Sequence, residues 1–277
     1  MRCFFFISVY FCASFVASSA ELPPIFARSA LLFDANSGRV LYKKNENEQR
    51  AVASTQKLLT ALIVADAGNL SKLVKITKSD TMVEPTKVGI RAGEVYTRAQ
   101  LLRALLIKSG NDVARALARD NAGSVSAFAD KMNATMLRLG GTGSNFVNPN
   151  GLPAEGQYSS ARDMARVARA AYRNYALREI MASKFFAFRF PSGRVTALKN
   201  TNRVLRTYAF CNGMKTGYTV RAGHCLISSG SHGGRDVIAI VLGSNKAHVW
   251  EESAGLLAYG LDLSGSERES LRYPSED

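Results

Sequence analysis

The chain has 277 residues, 47% of them hydrophobic and 21% charged, enough apolar material for a substantial buried core. Its formal net charge of +14 admits an anionic partner. The basic residues are dispersed rather than run together, which argues against a nucleic-acid-binding arm.

The first twenty residues read as a secretory signal peptide. Arg2 precedes an apolar run from Cys3 to Val16, and Ala17-Ser18-Ser19-Ala20 offers small residues for cleavage after Ala20. An uncleaved anchor is disfavoured, because the run is too short to span a bilayer comfortably. The expected organisation is a signal peptide over 1–20, one catalytic unit over 21–263 and a polar tail over 264–277. The tail has no apolar stripe, so no interfacial anchor is expected there. The mature protein is expected outside the cytoplasm with no membrane-spanning segment, where anionic envelope polymers and lipid headgroups are the first anions it meets. Of four cysteines, Cys211 and Cys225 remain after cleavage. A hairpin centred near Tyr218 would set them across from each other, and an oxidising compartment permits a disulfide. Two buried thiols fit equally well.

Ser29–Asp34 and Gly38–Tyr42 form a strand–turn–strand signal around Ala35-Asn36-Ser37-Gly38. Ser54 to Ala65, dense in Leu, Ala and Val, predicts a buried helix. From about Thr97 to Met181 the pattern is helical: Leu101, Leu102, Leu105 and Leu106 repeat at helical spacing, as do Met164, Val167, Ala168 and Ala171. Ser160 and Asp163 precede the latter set with capping-box spacing, and Pro149-Asn150-Gly151 marks a loop before it. From about Phe185 the period becomes that of strands, clearest in the stretch ending at Thr216, in Cys225–Ser229 and in Val237–Leu242. His248 to Leu261 closes as a helix. Strands at both chain ends with helices between imply an α/β or α+β unit, an antiparallel sheet shared by the terminal segments beside a helical lobe. A cleft between such lobes suits a small-molecule site.

Three strings carry chemistry when brought together: Ser54-Thr55-Gln56-Lys57, Ser109-Gly110-Asn111 and Lys215-Thr216-Gly217. Ser54 falls at a helix start, where free N–H groups favour developing negative charge. Lys57 is three residues on and shares its face. A lysine serves as base for a serine when desolvation or a neighbouring cation lowers its pKa, and Lys215 would supply that cation. Ser109 and Asn111 interrupt a helical pattern, so both can face one cleft, the hydroxyl relaying a proton to a leaving amine and the carboxamide holding a substrate amide. Alternatively, Gly110 simply ends one helix and a cap restarts the next. Gly217 lets a substrate backbone approach its strand. Tyr218 then offers its N–H beside that of Ser54 to an oxyanion, and Lys215 and Thr216 suit a substrate carboxylate. The set needs neither histidine, metal nor cofactor.

Together and in this order, these motifs closely resemble the low-molecular-mass penicillin-binding proteins, the serine-type D-alanyl-D-alanine carboxypeptidases, which share Ser-x-x-Lys and Lys-Thr-Gly with class A β-lactamases. Ser109-Gly110-Asn111 in place of Ser-Asp-Asn points to the carboxypeptidases. So does Asn150-Gly151-Leu152 followed by Gly156 to Met164, which looks like the family's central signature. The resemblance runs from about Pro23 to Asp262. It implies a penicillin-binding/β-lactamase-like transpeptidase fold. It also implies hydrolysis of peptidoglycan stem peptides ending in D-Ala-D-Ala through an acyl-enzyme, and covalent capture of β-lactam antibiotics. Family members often add a C-terminal β domain and an amphipathic helix, and many have histidine where Tyr218 stands.

A β-lactamase would need a Glu-x-x-x-Asn arrangement, absent from the expected region. His224, His232 and His248 lack His-x-x-x-His spacing, which disfavours a zinc peptidase. No Gly-x-Ser-x-Gly supports a Ser-His-Asp hydrolase. Carboxypeptidase and endopeptidase action both cut after the same D-alanine and stay open. A non-enzymatic peptidoglycan-binding or antibiotic-sensing domain would use Arg162, Arg166, Arg169 and Arg173 along one helix face, but has no need for Lys57.

Overall fold

The two ends of the chain meet in one antiparallel sheet. The structure, a computed structural model, describes residues 20–274, so the expected signal peptide, apart from Ala20, lies outside the described residues. In chain order the elements are β1 (Ser29–Asp34), β2 (Val40–Lys44), α1 (Lys57–Asp66), β3 (Leu73–Lys75), α2 (Lys78–Thr81), β4 (Val95–Thr97), α3 (Arg98–Lys108), α4 (Asn111–Ala122), α5 (Val125–Arg138), α6 (Ala161–Arg173), α7 (Tyr175–Ala182), β5 (Phe185–Arg189), β6 (Val195–Lys199), α8 (Arg203–Thr207), β7 (Cys211–Thr219), β8 (Gly223–His232), β9 (Arg235–Ser244), α9 (Val249–Leu261) and α10 (Gly265–Ser270). The main sheet runs β2-β1-β9-β8-β7, and β3-β4 and β5-β6 are separate two-stranded ribbons.

Because strand side chains alternate between faces, the sheet feeds two cores. Leu31, Phe33, Ile227, Ile238 and Ile240 face the helical lobe. Ala30, Leu32, Leu226, Ala239 and Val241 face the other way, into the core that holds Val249, Leu256 and Leu257 of α9. The β1–β9 register sets Leu31 opposite Ile240 and Leu32 opposite Ala239, so each face matches across the pair. Helix α1 is buried on every side, from Lys57 through Val64, as expected of a helix apolar all round except for its functional residues.

Several expectations change. The β7–β8 turn centres on Arg221 rather than Tyr218, since Thr219 pairs with Gly223. That displacement sets Cys211 opposite Gly230 and Cys225 opposite Gly217, and both thiols are free and buried. Ser160 does cap α6, accepting from the Asp163 N–H at 3.1 Å. The Asp163 carboxylate, however, turns to Gly143 N–H and Ser144 Oγ instead of closing a capping box. The segment expected as a tail holds α10, started by a reciprocal Ser264–Glu267 capping box. It then folds back so that Tyr273 N–H donates to Thr207 O at 2.8 Å. The α6 arginines are not a bare comb for an anionic polymer. Arg162 binds Glu46 and Asn47, Arg166 pairs with Asp163, and Arg169 and Arg173 donate to the Asn36 carbonyl.

Candidate active site

Ser54 lies in a single 3-10 turn, Ala53–Gln56, leading directly into α1. Ala53 takes a left-handed φ of 49°, a conformation costly for a residue with a Cβ and held only by its surroundings. The restraint is the loop at 148–151. Three side chains of the turn and α1 reach three successive carbonyls there: Gln56 Nε2 donates to Asn148 O (2.5 Å), Thr60 Oγ1 to Pro149 O (2.7 Å) and Lys57 Nζ to Asn150 O (2.6 Å). Gly151, at φ +83°, lies so close that a Cβ there would sit 2.1 Å from Ala53 O. Glycine is required on both counts.

Lys57 Nζ is 2.8 Å from Ser54 Oγ and 2.7 Å from Asn111 Oδ1, in addition to its contact with Asn150 O. The residue is fully buried. Burial pushes its pKa well below the usual lysine value, the Lys215 charge pushes it further, and Asp112 opposes both. A neutral amine has two N–H donors and one lone pair. With Asn111 Oδ1 and Asn150 O taking the donors, the lone pair is left for the Ser54 hydroxyl, which lies 3.3 Å from Asn150 O. The arrangement therefore suits removal of the serine proton.

Ser109 ends α3 in a left-handed conformation, φ 69°, and Asn111 opens α4. Gly110 between them is forced by space, because a Cβ would meet Val88 Cγ2 at 2.7 Å and Asp112 Oδ1 at 2.8 Å. The segment is a helix break in which Ser109 is the C-cap of α3 and Gly110 the N-cap of α4, with no side chain capping the second helix. The Asn111 carboxamide is engaged at both ends within the chain. Its Oδ1 takes Lys57, and its Nδ2 donates to Glu84 O and Pro85 O, each at 2.9 Å. Within the chain it anchors Lys57.

Lys215, Thr216, Gly217 and Tyr218 lie on β7, which among the described residues pairs only with β8 and has its other edge unpaired. A Cβ on Gly217 would stand 2.8 Å from Ser54 N and 2.9 Å from Thr55 N, so the strand passes directly against the Ser54 turn. Lys215 is buried rather than solvated, its Nζ donating to Thr216 O at 2.9 Å, and burial lowers its pKa to about 7. Thr216 Oγ1 hydrogen-bonds Thr201 Oγ1 at 2.6 Å. The Tyr218 ring is exposed and rests against His224, centroids 4.5 Å apart. Gln56, Thr60, Asn150, Gly151 and Thr201 were not assigned roles from sequence. Asn150 and Gly151 lie in the Asn150-Gly151-Leu152 motif, but the backbone carbonyl by which Asn150 receives Lys57 carries no residue-type signature. Among the described residues, no group of three or more His, Cys, Asp or Glu side chains is placed to hold a metal ion.

The family model described as D-alanyl-D-alanine carboxypeptidase matches residues 16–246. The chain is 35% identical over 224 residues to the D-alanyl-D-alanine carboxypeptidase DacF of Bacillus subtilis, covering 79% of this chain and 58% of that protein. It is 34% identical over 254 residues to DacB2 of Mycobacterium tuberculosis, covering 90% and 87%. The chain thus spans less than two thirds of DacF but most of DacB2. A crystal structure of a D-alanyl-D-alanine carboxypeptidase from M. tuberculosis superposes with a TM-score of 0.83 at 32% identity, covering 91% of this chain and 97% of that one.

Proposed function

The chain belongs to the D-alanyl-D-alanine carboxypeptidase family, and from that premise we propose that it removes the terminal D-alanine of peptidoglycan stem peptides through an acyl-Ser54 intermediate. The observation that carries this reading is the buried Lys57 amine, 2.8 Å from Ser54 Oγ and held by two acceptors.

Lys57, neutral through burial beside Lys215, takes the Ser54 proton as Oγ attacks the carbonyl of the penultimate D-alanine. The oxyanion lies between the N–H groups of Ser54 and Tyr218, adjacent because Gly217 has no side chain. The substrate backbone lies along the unpaired edge of β7, whose free N–H and C=O groups accept an added strand. Ser109, whose hydroxyl has no hydrogen-bond partner among the described residues, passes a proton to the departing D-alanine. Lys215 and Thr216, the latter oriented by Thr201, attract the terminal carboxylate. Asn111 acts through Lys57. Water then releases the shortened stem. β-Lactams enter by the same acylation, and without a glutamate to direct water the penicilloyl adduct persists. We place the enzyme outside the cytoplasm, exported by residues 1–20.

The test is to incubate the protein with diacetyl-Lys-D-Ala-D-Ala, with a cross-linked muropeptide and with penicillin. Free D-alanine from the tripeptide and a lasting mass increase from penicillin are expected. Cleavage of the cross-link alone would make it an endopeptidase, and rapid penicillin hydrolysis would make it a β-lactamase.

A further inference from the structure

We propose that the outer face of the β5–β6 ribbon is a docking surface for an anionic lipid bilayer. Phe185 pairs with Lys199, Ala187 with Ala197 and Arg189 with Val195. Directly opposed residues share a face, so these six side chains form one surface, and all six are exposed. Four are apolar. Phe185 is 50% and Val195 48% exposed, in positions where a ribbon packed on one side ordinarily shows polar groups.

The core does not need them. The ribbon is seated by its other face, where Phe188 and Leu198 are buried and Phe188 packs against Tyr96 and Phe190, centroids 5.2 and 4.9 Å away. The outer residues therefore extend from a rigid base, a geometry suited to shallow insertion.

The ribbon and its flanks carry charge of one sign: from Lys184 to Lys199 there are four lysines and arginines and no aspartate or glutamate. Lys184, Arg189 and Arg194 form no ion pair with any described residue. Arg194 lies flat on Phe190, 3.7 Å from the ring centroid, and Lys184 is 3.4 Å from that of Tyr273. Cations at the margin of the exposed Phe185 and Val195 side chains match a headgroup layer over acyl chains. A phosphate polymer would use the cations and leave Phe185 and Val195 without a role. The proposal does not depend on the catalytic reading.

The test uses protein recovered after export, in flotation with phosphatidylcholine vesicles and with vesicles that also contain phosphatidylglycerol. Wild type is compared with F185S/V195S and with R189Q/R194Q, and thermal unfolding serves as the folding control. Binding only to the anionic vesicles is expected. Each charge removed should weaken it about fivefold, and the apolar pair should weaken it as well, all without loss of thermal stability. Equal flotation of wild type and both variants, or none by wild type, would overturn the proposal. So would binding that R189Q/R194Q loses but F185S/V195S keeps and that soluble polyphosphate abolishes, which would identify a polymer site. Should the double variants unfold, single R189Q and V195S variants give the same comparison.

Discussion

Asn111→Asp changes one atom and reverses the electrostatics of the proposed base. Asn111 Oδ1 is 2.7 Å from Lys57 Nζ. A full negative charge there attracts an ammonium by about 6 kcal/mol at an effective dielectric constant of about 20. At about 1.4 kcal/mol per pKa unit, even a third of that raises the Lys57 pKa by more than one unit. The sign follows from the chemistry, since an opposite charge favours the protonated amine and leaves less neutral base at neutral pH. Acylation by a fluorescent penicillin, followed by stopped flow, should fall by about 10² or more at neutral pH. It should recover as the pH is raised, the rising limb of the profile having moved in the alkaline direction. Asn111→Leu is the control. It loses the same bonds to Glu84 and Pro85 but adds no charge, so its rate should fall without the alkaline displacement. Wild-type acylation by N111D at neutral pH, or a loss that alkali does not restore in a folded variant, would refute the reasoning.

Three further outcomes are expected. Gly217→Ala brings a methyl group within 2.8 Å of Ser54 N, which forces β7 and the Ser54 turn apart. Acylation should drop by about 10² while circular dichroism stays native, and unchanged acylation would show that strand and turn do not act together. Gly151→Ala combines a left-handed φ with a 2.1 Å contact to a backbone oxygen and should cost about 2 kcal/mol or more of stability, read by denaturant unfolding. Lys215, lowered to about 7 in the fold from 10.5, is neutral above that pH while the unfolded lysine still holds its proton. Stability should therefore rise with pH from about 7, by up to about 1.4 kcal/mol per unit. Lys57, also lowered by burial, adds a rise of the same sign, and from about 9 the unfolded thiols of Cys211 and Cys225 begin to ionise while the buried ones, held at about 12 and 11, do not, which opposes it. Thermal unfolding across this range should show a steeper rise in wild type than in Lys215→Met.

What the sequence yields most directly is local. Ser54 and Lys57 share a face by helical spacing alone, and the short apolar runs in Ser29–Asp34 and Val237–Leu242 mark the strands by which the two ends of the catalytic unit share a sheet. Long-range partners are less legible. Spacing says that Asn111 enters the cleft, but whether its carboxamide meets a ligand or Lys57 depends on where α1 packs. The Asn150 carbonyl that receives Lys57 could belong to any residue type. Of the two cysteine alternatives the buried free thiols hold, and register decides it, because a turn centred on Arg221 rather than Tyr218 changes every cross-strand partner. Helix α10 was missed although Ser264 and Glu267 carry a capping-box signal. Its few turns bury no residue, so the apolar period that reveals longer helices was lacking. The α6 arginines are a rival polymer-binding face that the sequence disfavours, and what it cannot show is that the loop carbonyl at Asn36 and the side chains of Glu46 and Asn47 take most of that face.

The central claim is that the Lys57 amine is the group that activates Ser54. Peptide mapping by mass spectrometry after timed exposure to penicillin tests it directly, in wild type and in Lys57→Ala. The adduct should map to Ser54 and form about 10²–10⁴ times more slowly in the variant. Labelling of Lys57→Ala at the wild-type rate, or an adduct on any other residue, would contradict the account.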